Sequence, residues 1–340
     1  MSVKRQSTAF DFSSLADLES STKLNLPKSQ QPLVFIMGLH RSGTTFLYES
    51  MADYYGAAKL TIQDIVYYPQ LISRIQQATA LNDANTINEY FQSFGYKKRG
   101  NDNLELGPET AEEYGWILKR WGGQFTSSPE TLTLLQEIVD KLSLIHSTKQ
   151  AVMLKNPWDI GQGAFLAEAF PKAKFVFIKR SPSEILSSEI NNALHFTRTK
   201  DPLLALLSNN IRVTKTLSGI FRLLRKVLSE SGFTTLVSKL IVADITNNIE
   251  KYLTDIQSIP THQLVEISYA DLFDKPAFIF DTLSKFLDLQ PRLGAEVPLA
   301  KRAKKIVNPI VRIAAKKLEQ RIADNGLSRF INSETVDDLK

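Results

Sequence analysis

Four short apolar runs interrupt a chain whose hydrophobic positions otherwise recur with helical spacing. The first, Leu33 to Gly38 after Pro32, is unbroken and ends at the glycine. The others are Ala151-Val152-Met153-Leu154, Lys174-Phe175-Val176-Phe177-Ile178 and Gln263-Leu264-Val265-Glu266-Ile267. Such runs are too short for helices, and each is followed by a helical pattern. That combination predicts βαβ units and a parallel sheet covered by helices on both faces. About 110 residues of mainly helical pattern separate the first two runs and predict a large helical insert at about 52–150. A further helical segment is expected at about 297–330. Residues 1–31 are rich in Ser, Thr, Gln and Lys and read as a flexible arm, which leaves 32–340 as one α/β domain.

In sheets of this kind ligands bind beyond the carboxyl ends of the strands. The polar residues just after the four runs are therefore the candidates: Arg41 to Thr45, Lys155, Arg180 and Tyr269. The first group says most. Gly38-Leu39-His40-Arg41-Ser42-Gly43-Thr44-Thr45 lies between the first strand and a helical pattern that opens at Phe46. A strand, a glycine-flanked turn and a helix N-terminus form a phosphate cradle, because backbone N–H groups and the positive end of the helix dipole face an anion. The spacing of Gly38 and Gly43 is that of a P-loop, but Thr44 stands where an NTPase carries its lysine, and the positive charge sits at Arg41. Binding of a phosphate or phosphosulfate is expected, and hydrolysis of ATP is not.

A second anion site is expected after the third strand. Pro182 is well placed as the first helical residue, which leaves Arg180 at the strand end and Ser188 about two turns into the helix. A guanidinium fork suits phosphate, and a helix folded back beside the loop brings a serine hydroxyl to the same group.

Composition narrows the classes. At 340 residues, 43% hydrophobic and 23% charged, the chain is an ordinary globular protein. It has no cysteine, which excludes disulfides, thiol nucleophiles and cysteine-ligated zinc and fits a reducing compartment. His40, His146, His195 and His262 show no metal-ligand spacing, and no metal is expected. No apolar run reaches the roughly 18 residues of a membrane span, and Met1 to Gln6 leads into polar sequence rather than a signal-peptide core. A cytoplasmic enzyme is the expectation. The net charge of +5 suits an anionic ligand. No basic patch interleaved with aromatics marks a nucleic-acid partner. Leu217, Ile220, Phe221, Leu224 and Leu228 recur at helical spacing among Lys215, Arg222, Arg225 and Lys226. Such a helix can cover a core, line an acceptor pocket or lie on a membrane.

Together these motifs resemble the sulfotransferases that use 3′-phosphoadenosine 5′-phosphosulfate, PAPS. That family's 5′-phosphosulfate loop is similar to Arg41-Ser42-Gly43-Thr44-Thr45, and its 3′-phosphate site, an arginine with a serine eight positions on, is similar to Arg180 and Ser188. The phrase Phe170-Pro171-Lys172-Ala173-Lys174-Phe175-Val176 is also typical of the family, and Tyr269-Ala270-Asp271-Leu272-Phe273 resembles its element near the adenine. The likeness spans 32 to about 288 and is nearest the bacterial-type branch, where Leu154-Lys155-Asn156-Pro157, Asp64 and Gly107 to Tyr114 have counterparts, the last opening a helix.

The resemblance implies a P-loop-like sheet flanked by helices and sulfuryl transfer from PAPS to a hydroxyl or amine of a small molecule, without metal. The product is adenosine 3′,5′-bisphosphate. Lys155 is then the stabiliser of charge at the transferring group. The cytosolic enzymes carry a catalytic histidine two positions after that lysine, and here Pro157 occupies the place; the bacterial branch often has one four positions after, and here it is Asp159. The proton acceptor is thus left among Asp64, Glu113 and Asp159, with Glu109 and Glu112 behind them. Two other classes stay open: a P-loop small-molecule kinase, and a non-catalytic nucleotide-binding protein.

Overall fold

The computed structural model describes residues 26–96, 105–198, 201–208, 228, 230–299 and 309–332. Most of the arm at 1–31, most of the basic amphipathic stretch and the His195 side chain lie outside them.

Four strands form one parallel sheet: β1 Leu33–Met37, β2 Val152–Lys155, β3 Lys174–Lys179 and β4 Leu264–Ser268, in the order β2-β1-β3-β4. The strands fall within a residue of the expected positions. One shift matters: β2 runs on to Lys155, so this residue is the last of the strand rather than the first after it.

Alternation along each strand divides the core into two layers. Leu33, Phe35, Met37, Val152, Leu154, Phe175 and Phe177 face one cluster; Val34, Ile36, Met153, Val176, Ile178, Val265 and Ile267 face the other. Side chains of period two that are buried on both faces require helices on both sides. The helices Thr44–Tyr55, Tyr269–Asp274 and Pro276–Leu287 cover the second layer. The first layer lies under the insert and under Pro182–Arg198, Glu230–Ser258 and Pro309–Asp324. No described helix is long and apolar enough to cross a membrane.

The insert is mainly helical, with the helices Ile62–Val66, Leu71–Gln76, Ala80–Ser93, Gly115–Gly122 and Leu132–Ile145. It also reaches back to the sheet. Ala58 bridges Val152 in parallel, and Thr61 bridges Ala111 in antiparallel. This corrects the expectation that Gly107 to Tyr114 opens a helix. The Glu112 N–H goes to Leu60 O at 3.0 Å, while Thr110 O and Pro108 O accept from Ile62 and Gln63, each at 3.0 Å. Committed to these bonds, the segment passes across the end of β2, and its helix starts only at Gly115.

β1 connects to β2 on one side, while its other neighbour, β3, connects to β4 on the opposite side. Such a switch point opens a crevice at the carboxyl end of the strand. The glycine-flanked loop stands there.

Candidate active site

The loop after β1 holds two residues in the left-handed region, Arg41 at φ 64° and Gly43 at φ 99°. Alternation of this kind turns successive N–H groups inward as an anion-binding nest. Arg41 has a Cβ and bears a cost of order 1 kcal/mol for that conformation. Gly43 can bear nothing larger than hydrogen: a Cβ would lie 2.5 Å from the ring of Tyr269. Gly43 is the N-cap of the Thr44–Tyr55 helix, with no side chain capping it. The first-turn N–H groups therefore face the crevice. Ser42 is spent locally, its hydroxyl donating to Leu39 O at 2.6 Å, and Thr44 is buried.

Arg41 Nε donates to Ser188 Oγ at 2.9 Å, and Arg180 donates from one terminal nitrogen to Arg41 O at 2.9 Å. Arg180 Nε donates to Glu184 at 3.0 Å, and the guanidinium lies 4.1 Å from the centre of the Tyr269 ring. Arginine has five N–H groups. Two of those on Arg180 hold it in place, and the other three lie beyond those two bonds. The three residues expected of a 3′-phosphate and adenine site, Arg180, Ser188 and Tyr269, thus form one connected group with the loop arginine. A cavity of about 240 Å³ opens beside Arg180, Ser181, Ser268 and Tyr269.

At the other end of the loop, Lys155 is fully buried, its ammonium donating to Thr45 Oγ1 at 2.9 Å and to Glu113 Oε1 at 2.6 Å. A buried ammonium needs such partners to offset its desolvation. It has three N–H donors, and these two bonds use two of them.

The structure does not bring the other two carboxylates to Lys155. Asp64 is the third residue of its own helix and completes a capping box with Thr61, whose N–H and hydroxyl each reach Oδ2 at 2.8 Å. Burial pushes its carboxyl up to about 6, the Thr61 bonds opposing. Asp159 is wholly buried and accepts from the Tyr114 hydroxyl, from Ser127 N at 2.6 Å and from Ser127 Oγ at 2.8 Å. Burial raises its pKa too, and those bonds lower it. Glu109 lines a second cavity, of about 380 Å³, with Asp64, while Glu112 is buried and accepts from the Glu113 N–H at 3.2 Å.

His40 went unrecognised among four scattered histidines. Its ring meets Trp158 edge-on at 5.2 Å between centres. Burial lowers its pKa; Glu113 and Asp244 raise it, while Lys155 and Arg41 lower it. A histidine inside the loop itself was the available signal.

A parallel sheet with an anion cradle at its switch point makes this a P-loop-like α/β protein. More narrowly, the chain belongs to the sulfotransferase family, whose model matches residues 32–205, just over half of the 340 residues. Comparison with curated proteins gives no match. Among solved structures it is similar to a sulfotransferase of Mycobacterium tuberculosis at 15% identity and TM-score 0.50, covering 87% of this chain and 78% of that one. A sulfotransferase of Mycobacterium avium aligns at 12% identity and TM-score 0.49, covering 90% and 76% respectively. At these identities the first likeness concerns the fold alone.

Proposed function

We propose that the protein transfers a sulfuryl group from PAPS to a hydroxyl or amine of a small-molecule acceptor. One observation carries the reading: a single five-residue loop joins both ends of the site. At one end Arg41 meets Ser188 and Arg180; at the other Thr45 meets Lys155.

The residues fit such a donor. The nest and the first-turn N–H groups of the Thr44–Tyr55 helix suit the 5′-phosphate. Arg180 and Ser188 suit the 3′-phosphate, and the Tyr269 ring suits the adenine. PAPS supplies the sulfuryl group already activated on a phosphate. The acceptor oxygen bonds to sulfur as the bond from sulfur to the 5′-phosphate oxygen breaks, and adenosine 3′,5′-bisphosphate leaves. Lys155 presents positive charge where that oxygen gains negative charge. Glu113 takes the acceptor's proton, a role its place on Lys155 supports over Asp64 and Asp159. Thr45 and Glu113 fix the ammonium beforehand, so little reorganisation is left for the reaction itself.

Thr44 in the P-loop lysine position speaks against the kinase alternative. The deciding experiment is transfer from PAPS followed by mass spectrometry of an extract's small molecules, in excess EDTA. Sulfated products are expected. Activity that vanished in EDTA and returned only with Mg²⁺, or phosphorylated products from ATP, would move the kinase ahead.

A further inference from the structure

Beside Lys155 and Glu113 stands an aromatic corner. Three residues beyond Lys155 is Trp158, and three beyond Glu113 is Trp116. Phe125 stacks on Trp158 at 4.4 Å and 22°. Trp116 stands edge-on to both, at 5.1 Å and 5.5 Å and 84° in each case. His40 of the anion loop closes one side against Trp158. The aromatic rings that hold the fold, such as Phe35, Tyr114 and Phe175, are completely buried. The rings of this corner remain partly exposed. The indole N–H of Trp116 is buried with no acceptor among the described residues, a donor that the fold itself leaves unanswered.

The corner is braced. Asn156 Nδ2 donates to Phe125 O at 2.9 Å. Asp159 holds Ser127 and Tyr114, the two ends of the segment that carries Trp116 and Phe125. Gly115 lets that segment close on Trp158, since a Cβ there would lie 2.7 Å from the indole and 2.5 Å from Asn156 Oδ1. This is the work of Asp159: it positions a wall rather than moving a proton. A partly exposed aromatic patch held this firmly costs solvation in the free protein, and its neighbourhood to Lys155 and Glu113 says what covers it.

We propose that the corner is the acceptor subsite and that it takes a planar aromatic alcohol, its hydroxyl directed at Glu113. The inference rests on the sulfotransferase reading above and names its substrate class. Rings packed on rings gain roughly 0.5–1.5 kcal/mol beyond their buried area. A sugar of similar size would bring several hydroxyls to a wall of aromatic rings, so the corner disfavours it. A phenolic hydroxyl also gives up its proton more readily than an aliphatic one, which suits a carboxylate acceptor already paired with a lysine.

The test is calorimetry on the full chain saturated with adenosine 3′,5′-bisphosphate, using 2-naphthol, its saturated counterpart decahydro-2-naphthol, and methyl glucoside. Binding of 2-naphthol is expected roughly two- to twelvefold tighter than of the saturated alcohol, the size of the aromatic contribution, with the glucoside weakest. Trp158→Leu, which keeps the bulk and loses the ring, should abolish that preference while bisphosphate affinity holds. Phe125→Leu provides the same reading if Trp158→Leu fails to melt cooperatively. Equal affinity for the two naphthols, an unaltered preference in the variants, or tighter binding of the glucoside overturns the proposal. Failure of the wild type to bind the bisphosphate would overturn the donor reading instead, and this inference with it.

Discussion

Arg41 Nε donates to Ser188 Oγ at 2.9 Å across 147 residues of sequence. The bond ties the loop after β1 to the helix after β3. Two motifs that the sequence keeps apart are therefore one structure, and Arg180 extends it through Arg41 O.

The donor's 3′-phosphate should depend on Arg180 more than on any neighbour. Arg180→Ala removes a charged fork, a loss of roughly 1.5–3 kcal/mol. The tenfold or greater preference for adenosine 3′,5′-bisphosphate over adenosine 5′-phosphate is expected to disappear. Calorimetry that finds the preference intact would remove Arg180 from the donor site. Ser188→Ala, which removes a neutral partner, should cost no more than about 1 kcal/mol.

Gly43→Ala adds one methyl group where φ is 99° and the Tyr269 ring is 2.5 Å away. The loop and the ring cannot both keep their places. Nucleotide affinity is expected to fall at least tenfold, with a destabilisation of about 1–3 kcal/mol from backbone strain and contact. Pairing it with Tyr269→Ala, which opens the space, should restore part of the stability but not the nucleotide affinity. A variant with wild-type affinity and melting temperature would show that the loop is not held as described.

Lys155 and Glu113 separate by signature. Lys155→Met should lower turnover by roughly 10²–10³ and also lower stability, by up to about 3–5 kcal/mol, because the Glu113 carboxylate is left without the charge it pairs with. Glu113→Gln keeps a partner for the lysine and removes the base, so turnover should fall by about 10²–10⁴ with bisphosphate affinity intact. Its deficit should narrow for nitrophenols, whose hydroxyl is already acidic. Wild-type turnover in Glu113→Gln would return the role to another group, with His40 first in line.

Asp64 offers a stability experiment. Burial raises its carboxyl from 3.8 to about 6. Between these values the folded chain binds the proton more tightly than the unfolded one. The benefit is complete below pH 4 and is lost as the pH climbs past 6, a swing of about 3 kcal/mol. Asp64→Asn keeps an oxygen for Thr61 and carries no charge. Its melting temperature at pH 7 should exceed that of the wild type, and the gap should close towards pH 4. Asp255, also raised to about 6 by burial, contributes equally to both proteins and cancels in the difference. Turnover should stay within about twofold; a loss of 10² or more would restore Asp64 as the base.

The strands, the loop and the meeting of Arg180 and Ser188 with Arg41 were legible because each rests on local pattern. Leu33 to Met37 is buried on both faces, and a run with no polar position announces that. Arg180 and Ser188 follow from the length of one helix. Which carboxylate stands at Lys155 was not legible, because the three candidates differ only in what surrounds them. Asp64 is consumed by Thr61 three residues before it, a capping box whose pattern was visible in the sequence. Glu113 reaches Lys155 only because Pro108 to Glu112 pairs with Leu60 to Gln63 instead of coiling. No periodicity reports a pairing of that kind. The aromatic corner was hidden for the same reason, its rings coming from two segments that meet only at the end of β2.

The order of the sheet sets a schedule for biosynthesis. β1 is wholly apolar and central, yet its neighbours β2 and β3 begin about 115 and 137 residues after it ends. At roughly 5–20 residues per second, a nascent strand of Leu-Val-Phe-Ile-Met waits on the order of ten seconds before any partner leaves the ribosome. For that interval the seam of the future sheet is a bare, sticky segment. The protein's yield in a cell should therefore depend on what shields Leu33 to Met37 during translation, and a shortage of chaperones should be felt there first.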